Sequence, residues 1–211
     1  MTSTPGVTRP ALLSDTVLLV CGGLHGVGAG RVRAAVREGA QVAFTGRRPD
    51  VGKALETELP GTHFIEADVA QTDSALASVA EPISHFGRVA ALVNHAGLTS
   101  RGTLLDTTEE LFDQHIAVNL RGPFFTMQAA VKDMRERAVP GSIVNIISTS
   151  ELGGQPYLAP YVAAKAGLAG LTRNAAHAHR WDRIRINGLD IGWTQTEGED
   201  LTQRAFHDAG D

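Results

Sequence analysis

Thr16-Val17-Leu18-Leu19-Val20-Cys21-Gly22-Gly23-Leu24-His25-Gly26-Val27-Gly28 is the stretch whose reading decides the fold. Its opening run, 16–21, is largely apolar and β-branched, too short for a helix, and it breaks at two glycines. That is the pattern of a buried parallel strand. A helical period follows over 27–38, with Val32, Ala35 and Val36 on one face and Gly39 as its stop. Between strand and helix, glycines meet three needs: a tight turn, close approach of backbone to a pyrophosphate, and close helix packing. The helix N-terminus beyond them offers N–H groups to phosphates. The turn is therefore expected to bind a dinucleotide.

The same alternation continues outward. Strands are expected at 41–45, 63–66, 89–93, 142–147 and 184–187. Helices are expected at 51–58, 72–85, 108–138 with an interruption at Pro123, and through Tyr161 to 179. No repeat or linker divides them. Six strands alternating with helices give an α/β fold, a doubly wound parallel sheet (Rossmann fold) with helices on both faces, in a single domain over 1–211. Residues 1–14 are expected to be a frayed leader.

The bulk numbers narrow the function. The chain has 211 residues, 43% of them hydrophobic, enough for one substantial core. A formal charge of −4 with scattered Lys and Arg leaves no footprint for nucleic acid. One cysteine, Cys21, excludes an intramolecular disulfide and fits a reducing compartment. The eight histidines are dispersed, and His177 and His179 project to different sides of a helix, so no metal site is expected. Without a signal peptide or a membrane-length apolar run, the expected location is cytoplasmic.

Tyr161-Val162-Ala163-Ala164-Lys165 places a phenol and an ammonium one helical turn apart on one face. A cation near a phenol stabilises the phenolate and makes the tyrosine a proton donor or acceptor nearer neutral pH. Ser148 ends a strand thirteen residues before Tyr161, and ends of parallel strands face the ligand crevice. Pro123 has no N–H for the carbonyl four residues earlier, that of Asn119, which is left to hold a water.

From the glycine turn to Thr196 the chain resembles the short-chain dehydrogenase/reductase family. The turn matches TGxxxGxG, with Cys21 in place of the Thr, which implies a softer turn that still binds cofactor. Asp68-Val69 matches the adenine site, and Asn94-His95-Ala96-Gly97 matches NNAG, with His95 as a structural substitution. The resemblance implies a catalytic set of Asn119, Ser148, Tyr161 and Lys165, with Asn119 positioning a relay water to the Lys. The family's other Ser before Ser148 is here Ile147. The implied cofactor contacts are Gly22, Leu24, His25, Gly26, Val27, Gly28, Arg47, Arg48, Asp68, Val69, Asn94, Ala96, Gly97, Tyr161, Lys165, Gly192, Thr194 and Thr196. The position that holds an acid in NAD-dependent members falls on Gly46 and is followed by Arg47, which favours NADP over NAD. Ile191 stands where the family has Pro.

The expected activity is reversible hydride transfer between a nicotinamide and a small-molecule carbonyl or alcohol. Ser148, Glu151, Gln155, Tyr157 and Trp193 would border the substrate, whose identity the residues leave open. The rival reading is a non-catalytic NAD(P)-responsive binding protein, against which the retained Tyr161 and Lys165 speak. The resemblance also implies a homo-oligomer, dimer or tetramer, through helices near 108–138 and 158–179. Past Thr196 the family pattern has further helices and a seventh strand, so the chain is expected to be truncated after Asp211.

Overall fold

A computed structural model describes residues 10–194 and 196. Six parallel strands form one sheet in the order β3-β2-β1-β4-β5-β6: β1 Val17–Cys21, β2 Gln41–Gly46, β3 Thr62–Glu66, β4 Ala91–Asn94, β5 Gly141–Ser148 and β6 Ile184–Ile191. The expected doubly wound fold is present. Among the described residues β6 pairs only with β5 and leaves the sheet with an edge.

Helices α1 Gly26–Arg37, α2 Pro49–Glu58, α3 Thr72–Phe86, α4 Glu109–Ile116, α5 Gly122–Glu136 and α6 Ala159–Ala178 connect the strands. Leu18, Val20, Val42 and Phe44 pack with Val32 and Ala35 of α1 on one face. Leu19, Leu92 and Ile143 pack with Val79, Ala130, Met134 and Leu168 on the other. Alternate residues of β1 to β4 feed the two cores, which is why β1 and β2 read as largely apolar runs, whereas β5 and β6 give Ile143, Ile147, Ile184 and Ile186 to the second core alone. No described helix is long and apolar enough to cross a membrane.

The chain order reverses direction between β1 and β4, and the crevice at their C-terminal ends is where open α/β sheets place ligands. Of the expected catalytic set, Ser148, Tyr161 and Lys165 line that crevice.

Two expectations change in detail. The first nine residues of the expected leader lie outside the described residues, but 11–14 dock: the Leu13 N–H donates to the Glu38 carbonyl (2.8 Å), that of Leu12 to the Glu38 carboxylate (3.0 Å), and Leu13 packs on the core. The long helix is not simply kinked at Pro123. It runs from α4 through a π-helical segment, Ala117–Arg121, into α5. The Gly122 N–H reaches back five residues to the Ala117 carbonyl, so the register slips before the proline arrives.

Candidate active site

The glycine turn is shaped for close backbone approach. At Gly22, φ is +86° and a Cβ would stand 2.6 Å from the Ala96 nitrogen. A Cβ on Gly28 would stand 2.0 Å from the Gly22 carbonyl oxygen. Both contacts are with backbone, so neither position accepts a side chain without displacing the turn. The turn is braced more firmly than Cys21 in the Thr position suggested. Thr45 of β2 accepts from the Gly22 N–H through its hydroxyl (3.2 Å) and from the Gly23 N–H through its carbonyl (2.9 Å). The Cys21 carbonyl in turn accepts from the N–H groups of His95 and Ala96. Burial pushes the Cys21 thiol up to about 12, so it packs as an inert group.

One long cleft runs over this turn. Gly22, Leu24, His25, Gly26 and Val27 line it beside Ala96 and Gly97, with Asp68 and Val69 beyond. Helix α1 begins there with no side-chain cap and no acid in its first turn, leaving its positive end for an anion. These features fit the diphosphate of a dinucleotide. Arg47 and Arg48 border the cleft past β2. At Gly46 a Cβ would stand 2.2 Å from the Leu24 side chain, so Leu24 occupies the room that an acid there would need.

Ser148, Tyr161 and Lys165 line the same cleft, as do Gly192, Thr194 and Thr196, the last of them beside Gly26 of the glycine turn. Ser148 ends β5 and caps the short 3-10 turn Thr149–Leu152, accepting from the Ser150 N–H (3.2 Å). Its hydroxyl donates to that of Ser150 (3.1 Å), which in turn donates to the side-chain amide oxygen of Gln155. Lys165 is buried and donates to the Ile146 carbonyl (2.7 Å), with its ammonium 5.6 Å from the Tyr161 ring centroid. Burial lowers the Lys165 pKa to about 8.

Other expected residues do not border the cleft. Gly28 serves packing, as its contact with Gly22 shows. The buried Asn94 amide braces the sheet, donating to Asn145 (2.9 Å) and accepting from Thr126 (2.7 Å). Asn119 points away from the cleft: its side-chain oxygen accepts from the Leu98 N–H and its amide donates to the Leu98 carbonyl, each at 3.0 Å. Of the substrate candidates, Gln155 and Trp193 line the cleft with Ser148, whereas Glu151 and Tyr157 do not. The Tyr157 ring lies under the Arg101 guanidinium, 4.5 Å from centroid to carbon, and Arg101 is a cleft residue that no motif marks.

His95, which replaces an Asn, is also in the lining. Its Nδ1 lies 2.6 Å from a guanidinium nitrogen of Arg31. A guanidinium only donates, so Nδ1 is the acceptor and the ring proton sits on Nε2. Burial first, then the charges of Arg31, Lys165 and His25, lower the His95 pKa to about 4, and the ring is neutral.

Comparison with known proteins agrees with this geometry. The family model described as short chain dehydrogenase matches residues 16–205. "Probable galactose dehydrogenase GalD" of Rhizobium meliloti (strain 1021) is 38% identical over 190 residues, 88% of this chain and 74% of that protein. The 3-alpha-(or 20-beta)-hydroxysteroid dehydrogenase of Mycobacterium tuberculosis (strain ATCC 25618 / H37Rv) is 36% identical, over 92% of this chain and 76% of that one. A crystal structure of a "putative short-chain alcohol dehydrogenase" from Sinorhizobium meliloti 1021 superposes with a TM-score of 0.82 at 30% identity, covering 93% of this chain and 82% of that one.

Proposed function

The chain belongs to the short-chain dehydrogenase family and is an NAD(P)-dependent oxidoreductase, and from that premise we propose that its chemistry runs on Ser148, Tyr161 and Lys165. A nicotinamide bound in the cleft would supply the chemistry of giving up or taking up the hydride. Ser148 donates a hydrogen bond to the oxygen of the reacting carbon. Tyr161 passes a proton to that oxygen when a carbonyl is reduced and takes it back when the alcohol is oxidised. Lys165 holds the nicotinamide ribose and keeps a positive charge beside the phenol. The Asn119 carbonyl, facing a proline without an N–H, holds a water that returns the proton to solvent. The observation that carries this reading is the convergence of Ser148, Tyr161 and Lys165 on one cleft with the glycine turn.

We assign NADP as the preferred cofactor, because Gly46 offers no acid to a ribose hydroxyl while Arg47 and Arg48 border the cleft beside it. Arg47→Ala is expected to raise the NADPH dissociation constant about tenfold, the loss of one charge-assisted contact, and to leave NADH binding within twofold. Equal effects on both nucleotides, read by calorimetry, would remove the assignment.

For the substrate we assign a polyhydroxylated ring. Thr149, Ser150, Gln155 and Arg101 give the cleft hydrogen-bonding walls beside the indole of Trp193. The names of two relatives, the R. meliloti protein and the L-fucose dehydrogenase of Mus musculus, point the same way. The test is a panel of D-galactose, L-fucose, cyclohexanol and a 3α-hydroxysteroid with NADP+ and NAD+, read by nicotinamide absorbance. Sugar oxidation favouring NADP+ is expected; nucleotide binding with no alcohol oxidised would refute the enzymatic assignment of these residues.

Self-association is proposed through the apolar groove that Phe124, Met127, Val131, Leu171 and Ala175 form between α5 and α6. Phe124→Glu is expected to shift sedimentation toward monomer, and an unchanged assembly would exclude this face.

A further inference from the structure

His115, the last residue but one of α4, is fully buried and belongs to none of the motifs that mark the cleft. Its Nε2 lies 2.9 Å from the Ser100 carbonyl and its Nδ1 lies 3.2 Å from the Asn119 side-chain nitrogen. Its ring stands edge-on to Tyr161, with centroids 6.2 Å apart and planes at 80°. We infer that His115 is a positioning residue: its ring fixes the Asn119 amide and, through it, the loop 98–100 that borders the cleft next to Tyr161.

The argument is one of matching donors to acceptors. A carbonyl only accepts, so Nε2 carries the ring proton toward Ser100. Nδ1 is then an acceptor, which fixes the atom facing it as the Asn119 nitrogen. That amide has two protons and two acceptors, His115 Nδ1 and the Leu98 carbonyl, while its oxygen takes the Leu98 N–H. Each side-chain N–H of the pair has an acceptor, and each side-chain acceptor atom has a donor. His115 and Asn119 lie four residues apart, so they act from successive turns of the same face. Together they hold Leu98 and Ser100, and between these lies Thr99, which lines the cleft with Leu98. Farther along the same loop, Gly102 bonds to Tyr157 and Ala159 at the start of α6, so the tether closes back on the helix that carries Tyr161.

The network requires a neutral ring, because a proton on Nδ1 would face the Asn119 N–H. Burial lowers the proton affinity of His115, against the opposing pull of the Ser100 carbonyl, and the ring stays neutral. Buried pairs of this kind are costly to break on one side, since the remaining partner is left without its bond.

The kinetic half of this inference rests on the hydride-transfer reading; the structural half does not. Two variants of the full chain test it. His115→Phe keeps a ring against Tyr161 and removes both bonds, whereas His115→Asn retains an acceptor near Asn119. Amide exchange at Leu98, read by NMR, is expected to quicken at least about tenfold in His115→Phe and less in His115→Asn. With the best alcohol of the panel, kcat is expected to fall about 10–100-fold in His115→Phe, with partial recovery in His115→Asn and NADPH affinity within twofold. Wild-type exchange at Leu98 together with wild-type kcat in a folded His115→Phe would overturn the inference. Should His115→Phe fail to fold, His115→Asn decides: both readouts must move, and wild-type values in both overturn it. A wild type that oxidises no alcohol refutes the enzymatic assignment and leaves the exchange result to stand alone.

Discussion

Tyr161→Phe is expected to lower turnover by about 10²–10⁴-fold, the contribution of a positioned general acid or base, with nucleotide affinity held within a few-fold. The substitution removes one oxygen and leaves the ring. Tyr161 is buried in the first turn of α6, its ring edge-packed on His115 and about one helical turn from Lys165, so Phe retains the shape of the site. What is lost is the only phenol lining the cleft among the described residues. Stopped-flow measurement of the chemical step with the best panel alcohol, alongside NADPH titration, separates the two quantities. Unchanged turnover would remove Tyr161 from the reaction.

Lys165→Met is expected to weaken nucleotide binding about 10–100-fold, the value of a hydrogen bond to a charged group, and to depress turnover further. The pH dependence follows from burial. The Lys165 pKa falls from its ordinary 10.5 to about 8, so the ammonium is present below pH 8 and lost above it. Wild-type nucleotide affinity should therefore decline as pH rises through about 8, and the variant should lack that step. Stability changes in the opposite sense. Between about 8 and 10.5 the unfolded chain binds the proton that the folded chain has released, so folding stability rises with pH across that window. Lys165→Met should flatten this rise, which thermal melts at pH 7 and pH 10 would show. A variant that keeps both slopes would contradict the burial of a titrating ammonium at this position.

Much of the fold was legible because it rests on local signals. The β1 run, the glycine turn and the stop at Gly39 act within a few residues, and strands buried on both faces leave uninterrupted apolar runs. Tyr161 and Lys165 were legible as cleft residues through their spacing on one helix, and Ser148 through its place at a strand end and its family-like distance from Tyr161. The supporting groups were not. Thr45 bracing Gly22, Arg31 holding His95, and Asn145 and Thr126 flanking Asn94 are contacts across 23 to 64 residues of sequence, which no local pattern records. Asn119 shows both sides: its position was readable from Pro123, but the bonding of its side chain to Leu98 needs the loop in place. His115 alone carried a local signal, its four-residue offset from Asn119.

Deuterium carried at C4 of NADPH tests the central claim most directly. Incubated with the protein and the ketone or lactone form of the best panel substrate, it should appear on the carbinol carbon of the product, at a rate that Tyr161→Phe nearly abolishes. Product without deuterium, or equal transfer by Tyr161→Phe, would contradict a hydride path through this site.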